Sequence, residues 1–327
     1  MADLKNSGKE AAPAVGPEVP ARSRYVLITP ARNEAEYIEL TLQSVVQQTV
    51  RPLRWVIVSD GSTDGTDEKV KKYAAEHDWI QLLRMPERQE RNFAGKVLAF
   101  NAGYAQVTPL DFEFVGNIDA DISFEPDFFS FLLARLSENP RLGLVGAAFV
   151  EGESRYDYRF TSIEHVSGQC QLFRRACFES FNGYVPVKGG GIDVAAVLNA
   201  RLHGWETRTF AERVFIHHRV MGSAVNKGLM VRFHDGEKDY RLGSHPLWEL
   251  FRGVYQMAKQ RPPVLGGLSI LGGYVWSALR RVPRQIGPEL VKLRRKEQMA
   301  RLKAFFLPMF SNKSPKAQPT SAGAGQG

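Results

Sequence analysis

The first 150 residues alternate between short apolar runs and longer stretches in which apolar residues recur at helical spacing. Residues 25–29, 55–59 and 142–150 form nearly continuous apolar runs, a pattern typical of strands that are covered on both faces. Between the first two runs, residues 38–46 carry apolar side chains on one helical stripe. Strands that alternate with helices in this way predict an α/β fold built on a doubly wound, mostly parallel, Rossmann-like sheet.

Two carboxylates, Asp119 and Asp121, follow the apolar run 112–116. Because alternate residues of a strand point to the same side, both can face the carboxyl edge of the sheet, where open α/β sheets bind ligands. Like charges this close repel, and a divalent cation is the usual way to offset the repulsion. An isolated Asp-x-Asp triplet is more often a solvated turn, but a second acidic loop, residues 60–65, also follows a strand. Together the two loops predict a polar ligand site with a metal.

The acidic loop at residues 60–65, Asp-Gly-Ser-Thr-Asp-Gly, superficially resembles the start of a calcium loop. Calcium is excluded, because the twelfth position needs a bidentate glutamate and here it is Lys71. Asp60 can instead accept hydrogen bonds from a nucleotide base or ribose, and Ser62 with the following amides suits a polar ligand. The alternative is an ordinary glycine-rich turn between strand and helix.

Four segments carry a resemblance to a known family. They are residues 29–34 (Thr-Pro-Ala-Arg-Asn-Glu), 58–66 (Val-Ser-Asp-Gly-Ser-Thr-Asp-Gly-Thr), 95–103 (Gly-Lys-Val-Leu-Ala-Phe-Asn-Ala-Gly) and 119–121 (Asp-Ala-Asp). On these segments, residues 24–220 resemble the family 2 glycosyltransferases of the bacterial polysaccharide-biosynthesis type, which have the GT-A fold. The order and spacing of all four make the resemblance more specific than any one of them.

The resemblance implies a pocket for a nucleotide-diphosphate sugar together with Mg²⁺ or Mn²⁺. Its donor-binding residues would be Pro30, Arg32, Glu34, Asp60, Ser62, Lys96, Asp119 and Arg219. Asp119 and Asp121 would hold the metal against the diphosphate, where the ion neutralises charge that builds up on the leaving group. Lys96 would place a further cation near the same phosphates.

A catalytic base is also implied by the resemblance. The family commonly takes it from a Glu-Asp pair that opens a helix after a glycine-rich loop. Here residues 188–193 read Lys-Gly-Gly-Gly-Ile-Asp, so Asp193 fits the base while Ile192 replaces the usual glutamate. This departure affects the expected acceptor geometry more than the chemistry, and the alternative is that Asp193 only stabilises a helix N-terminus. Residues 168–175 would belong to the acceptor side, as would Glu151 and Gly152, and the alternative for these is loop polarity alone.

Two adjacent histidines, His217 and His218, precede Arg219 at the end of a short apolar run. Family members often place a histidine here near the metal or diphosphate, so both are candidate metal ligands and Arg219 is a candidate phosphate contact. Neighbouring strand residues point to opposite faces, which leaves open which histidine faces the site, and a structural histidine is the alternative. The Gln-x-x-Arg-Trp signature of processive synthases is absent from the sequence, which favours single sugar additions.

The net charge of +8 is concentrated in residues 280–303, which contain nine basic and two acidic residues. The stretch 264–279 before this cluster is uncharged but shorter than the ~20 residues of a typical membrane-spanning helix. With Arg261 and the apolar residues beyond it, this region predicts helices in the plane of an anionic membrane. The alternative is helices packed on the catalytic domain with a solvated basic face. No recognition motif accompanies the charge, so nucleic acid is not an expected partner.

The predicted layout has four parts. These are a disordered tail (1–22), a GT-A domain (23–222) with a donor half (23–121) and an acceptor half (122–222), a helical basic region (223–310) and a second disordered tail (311–327). Residues 1–22 contain no apolar signal sequence. Cys170 and Cys177 form no disulfide framework or metal-ligand pattern, which is typical of reduced, buried thiols. We therefore predict a cytoplasmic protein that is peripheral at the inner face of the cell membrane.

The predicted reaction is an inverting, metal-dependent transfer of a single sugar, from a UDP-sugar by preference, to a lipid-linked glycan in surface polysaccharide assembly. The acceptor follows from the resemblance and the basic apolar C-terminus, and transfer to polyprenyl phosphate is the alternative. Two other classes remain open, an inactive nucleotide-binding assembly partner and a nucleotidyltransferase that releases pyrophosphate. The presence of Asp119, Asp121 and Asp193 argues against the inactive partner.

Overall fold

The computed structural model describes residues 24–87, 94–152, 154–155, 162–187, 189–219, 228–259 and 264–310. The predictions for the two terminal tails, for Lys188 and for Arg261 concern residues outside these ranges. Within them, the chain forms an α/β sheet structure followed by four C-terminal helices. Cys170 and Cys177 are buried free thiols, as predicted.

The first half of the sheet is parallel. Its elements are β1 (Tyr25–Ala31), α1 (Ile38–Val46), β2 (Arg54–Asp60), α2 (Thr66–Glu76), β3 (Ile80–Met85), α3 (Ala94–Val107) and β4 (Phe114–Ile118). The strands lie in the order β3-β2-β1-β4, and each neighbouring pair is parallel. Because parallel neighbours need a crossover, α1 and α2 connect the strands over the faces of the sheet. The carboxyl ends of all four strands therefore meet at one edge, where both acidic loops lie.

The second half of the sheet is mixed, so the prediction of a mostly parallel sheet is wrong there. Its elements are β5 (Ile122–Phe124), α4 (Phe128–Glu138), β6 (Leu142–Glu151), β7 (Ser154–Arg155), β8 (Cys170–Arg174), α5 (Arg175–Ser180), α6 (Ile192–Leu202) and β9 (Glu206–His217). Strand β8 is antiparallel to β4 and β6, β9 is parallel to β6, and β5 is antiparallel to β9. A continuous apolar run indicates burial on both faces of the sheet, which is typical of parallel strands but does not fix the direction of a strand.

Side chains of β1 and β2 enter two apolar layers, one on each face of the sheet. Leu27 and Trp55 belong to the layer that contains residues of α1 and α4, whereas Val26 and Val56 belong to the layer that contains residues of α3. All four side chains are completely buried. The prediction of strands covered on both faces is confirmed for β1 and β2.

The four C-terminal helices are α7 (Leu229–Arg241), α8 (Pro246–Lys259), α9 (Leu265–Leu279) and α10 (Pro288–Phe310). Helix α10 packs on α6, where Leu290 shares a buried apolar cluster with Val187, Leu198 and Leu242. None of the helices among the described residues combines the length and the apolar character that crossing a membrane requires.

Part of the C-terminal basic cluster lies inside the helical region. Arg294 donates hydrogen bonds to Asp239 Oδ1 and Ser244 Oγ, both at 2.9 Å. Burial lowers the pKa of Arg294 to about 10, although nearby acids oppose the shift. Arg295 Nε donates to the Gly243 carbonyl at 3.1 Å. These residues tie α10 to α7 and to the turn before α8, as in the packed-helix alternative.

Helices α7, α8 and α9 approach one another through glycines. On α9, Gly273 faces the Phe233 carbonyl of α7, and Gly267 faces the Gly253 carbonyl of α8. A Cβ atom at either α9 glycine would overlap the facing carbonyl oxygen. The three helices therefore pack at backbone contact distance, which only glycine permits at these positions.

Gly273→Ala is expected to lower the free energy of unfolding by about 2 kcal/mol, because the facing backbone of α7 must shift to admit the methyl group. Gly272→Ala is the matched control on the same helix, since its Cβ would meet only ring carbons of Phe233 at 3.8 Å. That control should be neutral or gain up to about 1 kcal/mol from helix propensity. Urea unfolding of both variants makes the comparison, and equal stabilities would contradict the close packing.

Candidate active site

The loops after β1 and β2 are joined by hydrogen bonds. Arg32 Nη1 lies 3.7 Å from Asp60 Oδ2, and the Asn33 N–H donates to Ser62 Oγ at 3.1 Å. In return, the Thr63 N–H donates to Asn33 Oδ1 at 2.9 Å. Asp60 and Ser62 are buried. The two loops therefore form one fixed polar surface at the carboxyl ends of neighbouring parallel strands.

A compact charged centre forms where three elements converge on the end of β4. Asp119 and Asp121 follow β4, and Lys96 Nζ of α3 pairs with Asp119 Oδ1. His217, the last residue of β9, places its Nε2 3.4 Å from Asp121 Oδ2. Its Nδ1 lies 2.8 Å from Glu151 Oε2 at the end of β6. The two carboxylates thus lie at the predicted edge of the sheet and are compensated by basic side chains.

Burial and charge compete in this centre. Burial raises the pKa of Asp119; Lys96 opposes the shift and Asp121 adds to it. Burial acts in the same direction on Asp121, but the hydrogen bond and charge of His217 hold its pKa below the ordinary value. For His217, burial favours the neutral ring, yet Asp121 and Glu151 raise its pKa to about 9. The imidazole is therefore a cation at neutral pH when Asp121 and Glu151 are its partners.

Arg219 connects the charged centre to the loop after β1. Its Nη2 lies 2.5 Å from Glu34 Oε2, and its Nε lies 3.8 Å from Asp121 Oδ2. Glu34 in turn donates its backbone N–H to Thr66 Oγ1 of α2 at 2.8 Å. The loops after β1 and β2 and the charged centre are therefore parts of one contact network.

The two adjacent histidines have different neighbours. Whereas His217 lies against Asp121, the His218 Nε2 lies 2.8 Å from Ser123 Oγ. The His218 ring also stacks on Tyr37, with ring centroids 6.2 Å apart. Of the two candidate metal ligands, the structure therefore brings His217 to a carboxylate and directs His218 to a hydroxyl group.

Asp193 lies in the first turn of α6, beside the segment that precedes β8. His165 Nε2 is 3.6 Å from Asp193 Oδ2. Gly168 is so close that an added Cβ would lie 3.1 Å from Asp193 Cβ. Lys96 Nζ donates to the Gly168 carbonyl at 3.3 Å. One lysine therefore touches both Asp119 and the backbone that packs against Asp193.

The structure brings most of the predicted site residues onto one surface along the carboxyl edge of the sheet. Linked through side-chain or backbone contacts are Arg32, Glu34, Asp60, Ser62, Lys96, Asp119, Asp121, Asp193, His217 and Arg219. Pro30 lies in β1 opposite Val58 of β2. Sequence reasoning missed His165, since no motif surrounds it. Glu151, predicted for the acceptor side, lies against His217.

Comparison with known proteins identifies the family. Residues 26–192, just over half of the chain, match the sequence profile described as Glycosyl transferase family 2. The chain belongs to glycosyl transferase family 2. Its sequence relatives include polysaccharide synthases.

Two bacterial relatives show how far the sequence similarity extends. A poly-beta-1,6-N-acetyl-D-glucosamine synthase from Staphylococcus epidermidis is 29% identical over 136 residues, which are 41% of this chain and 31% of that protein. A hyaluronan synthase from Pasteurella multocida is 29% identical over 127 residues, which are 39% of this chain and 12% of that protein. This family 2 glycosyltransferase thus matches less than a third of the length of either relative.

Solved structures show the same fold. A mannosyltransferase from Pyrobaculum calidifontis, in complex with GDP-Man and Mn²⁺, has a TM-score of 0.53 at 19% identity. The alignment covers 92% of this chain and 91% of the mannosyltransferase chain. Residues 1–349 of TarS from S. aureus, in complex with UDP-GlcNAc, have a TM-score of 0.51 at 17% identity. That alignment covers 86% of this chain and 80% of the TarS chain. The α/β structure with its mixed sheet is therefore the GT-A fold.

Proposed function

We propose that this family 2 glycosyltransferase transfers one sugar, with inversion, from a nucleotide-diphosphate sugar to an acceptor hydroxyl. The observation that carries the proposal is the contact of Lys96 with both Asp119 and the Gly168 carbonyl beside Asp193. Sugar transfer with a diphosphate leaving group needs positive charge at the diphosphate and a base at the acceptor. The Lys96 contacts support a single surface on which both requirements can be met.

The nucleotide would bind at the ends of β1 and β2, against Pro30 and the linked loops. The buried Asp60 carboxylate, beside Arg32, can accept hydrogen bonds from a base or ribose, and Ser62 offers a hydroxyl group. Lys96, Arg219 and Glu34 would line the diphosphate side. A UDP-sugar is the proposed donor, and the TarS complex with UDP-GlcNAc supports this choice. The mannosyltransferase complex with GDP-Man suggests a GDP-sugar as the alternative donor.

Mg²⁺ or Mn²⁺ fits the donor atoms of the charged centre. Among the residues that the structure describes, no three or more His, Cys, Asp or Glu side chains are arranged to hold a metal by themselves. Magnesium needs only one or two protein carboxylates when substrate phosphates supply the other oxygens. Asp119 and Asp121 would supply these carboxylates, with His217 beside them and His218 outside the proposed set. A bound ion would neutralise charge on the departing diphosphate.

Asp193 is the proposed base. In the inverting reaction, the acceptor oxygen bonds to the anomeric carbon as the bond from that carbon to the diphosphate oxygen breaks. The acceptor hydroxyl proton moves to the Asp193 carboxylate. The first turn of α6 favours an anionic side chain, and His165 is near enough to orient it.

The proposed acceptor is a lipid-linked glycan used in surface polysaccharide assembly, at the inner face of the membrane, with polyprenyl phosphate as the alternative. Its support is the naming of the two bacterial relatives as polysaccharide synthases. In this arrangement residues 23–121 would bind the donor and residues 122–222 the acceptor. Residues 223–310 would form the membrane-facing helical region.

Thermal unfolding with UDP, GDP, CDP and dTDP, each with Mn²⁺ or EDTA, tests the donor site. We expect one nucleotide to stabilise the protein when Mn²⁺ is present and not in EDTA. The stabilisation should be about 2.7 kcal/mol at a hundredfold excess of the nucleotide over its Kd. Asp60→Asn should reduce this effect, and Asp78→Asn, at an exposed position after α2, should not.

This titration and an activity assay together separate the classes of function. The absence of any shift with all four nucleotides would contradict the donor site, whereas a shift without sugar transfer would favour an inactive nucleotide-binding assembly partner. Consumption of a nucleoside triphosphate with release of pyrophosphate would identify a nucleotidyltransferase instead.

A further inference from the structure

Exposed apolar side chains are concentrated on the C-terminal helices. Of the 21 large hydrophobic side chains exposed among the described residues, 13 belong to residues 228–310. On α9, five of them recur at helical spacing and are 44–76% exposed: Leu265, Leu268, Val275, Trp276 and Leu279. They form one stripe along the helix. Contiguous apolar surface of this kind marks an interaction site.

The opposite side of α9 is fixed by burial. Ile270, Gly273 and Tyr274 are buried, and the Gly273 backbone lies against the Phe233 carbonyl of α7. Tyr274 Oη also donates to the Ser244 carbonyl at 2.8 Å. The helix therefore cannot rotate its exposed stripe inward without losing these contacts.

Helix α8 extends the apolar stripe sideways. Its Leu247, Leu250 and Val254 are 51–55% exposed and lie on one side at helical spacing. Gly253 holds α8 against Leu271 of α9. The two stripes are therefore neighbours. We define the α8–α9 face as Leu247, Leu250, Val254, Leu265, Leu268, Val275, Trp276 and Leu279.

Positive charge borders the α8–α9 face. Arg280 and Arg281 directly follow Leu279 and are exposed, and the Arg280 guanidinium lies 4.1 Å over the Trp276 ring. Arg294, in contrast, is engaged with Asp239 inside the helical region. An apolar face with an amphipathic indole and exposed basic residues at its border matches the interface of a bilayer with anionic headgroups.

We propose that the α8–α9 face docks on an anionic membrane surface, with its leucines in the acyl boundary and Arg280 and Arg281 at the headgroups. This assignment places membrane contact on α8 and α9, next to the exposed Phe305 and Leu307 of α10, while Leu290 joins α10 to α6. Docking is independent of the chemistry at Asp193, so vesicle binding and donor binding can fail separately.

Co-sedimentation of the full chain with vesicles tests this proposal. The vesicles contain phosphatidylcholine alone or mixed with phosphatidylglycerol. Leu268→Glu combined with Leu279→Glu should weaken binding to the mixed vesicles at least about tenfold, because two charges enter the acyl boundary. Arg280→Gln and Arg281→Gln should each weaken it about fivefold on mixed vesicles only. Leu53→Glu, at a 42% exposed position in the α/β part, is the control and should bind like the parent.

A second measurement follows the fluorescence of the parent protein, without a glutamate substitution. Trp276 fluorescence should shift to shorter wavelength on mixed vesicles, and Trp276→Phe should remove that change. Unchanged vesicle binding by the doubly substituted variant would overturn the proposal, as would an unshifted Trp276. Failure of the parent to bind vesicles, with a concentration-dependent dimer that Leu268→Glu disrupts, would assign the face to a second copy of the chain.

Discussion

Asp193→Asn is expected to lower turnover by about 10²-fold or more while the affinity for the donor nucleotide stays unchanged. Asparagine keeps the size and helical position of the side chain but cannot take the proton of an acceptor hydroxyl. His165 would keep its place beside the substituted residue, 3.6 Å away in the parent. The loss therefore reports proton transfer, and single-turnover transfer of a labelled sugar together with calorimetric nucleotide binding measures the two effects separately.

Two further variants bracket the result at Asp193. His165→Gln removes only the neighbour that orients the carboxylate, so its turnover should fall much less than that of Asp193→Asn. Asp78→Asn, at an exposed position, should leave turnover unchanged. Near-normal turnover in Asp193→Asn would exclude it as the base and leave only its favourable interaction with the α6 N-terminus, worth about 0.3–1 kcal/mol of stability.

Asp121→Asn is expected to weaken metal-dependent donor binding and to lower turnover about 10²-fold or more, since metal stabilisation of a leaving diphosphate is worth several kcal/mol. The substitution also removes negative charge beside His217 and Arg219, which lie 3.4 Å and 3.8 Å from Asp121 Oδ2. That excess positive charge opposes a divalent ion. Titration of activity with Mn²⁺ should show a higher metal requirement and partial recovery at high Mn²⁺.

Asp119→Asn should also raise the metal requirement. In addition it frees Lys96 from its ion pair, so Gly168 loses a fixed hydrogen-bond donor. Asp127→Asn is the control, because it breaks an ion pair with Arg213 away from this centre and leaves every proposed ligand in place. Metal dependence identical to the parent in both Asp119→Asn and Asp121→Asn would remove these carboxylates from the metal site.

The parallel half of the sheet could be predicted because its strands are buried on both faces and alternate with helices. Val26 and Leu27 show why, since neighbouring residues of β1 enter opposite apolar layers and both must be hydrophobic. The antiparallel direction of β8 could not be predicted. Its five residues, Cys-Gln-Leu-Phe-Arg, would suit either direction, and the direction depends on the path of the preceding chain.

The choice between the two histidines illustrates a different limit. Strand alternation indicates that His217 and His218 point to opposite faces but does not say which face carries Asp121. The antiparallel pairing of β5 with β9 decides it, because Ile122 lies opposite His217 and the His218 N–H donates to the Asp121 carbonyl. This pairing joins segments far apart in the chain, so no local pattern contains it.

The basic cluster shows that charge counts do not reveal partners. Nine basic residues between 280 and 303 predicted a charged surface. The structure divides them, with Arg294 on Asp239 inside and Arg280 over the exposed Trp276. Leu290, Arg294 and Gln298 recur every fourth residue on the buried side of α10, whereas Lys292 and Lys296 are exposed, so the basic residues fall on both sides of the helix.

The helix that carries Asp193 begins on the C-terminal region. Gly191 has a φ of 92° before α6, and its missing Cβ leaves room for the Leu242 side chain at the end of α7. A recombinant chimaera joined between β9 and α7 would therefore replace Leu242, which packs against the turn at Gly191, together with the C-terminal helices. The C-terminal region is not an interchangeable module, and a graft would need to carry residues 189–191 with the Leu242 that they accommodate.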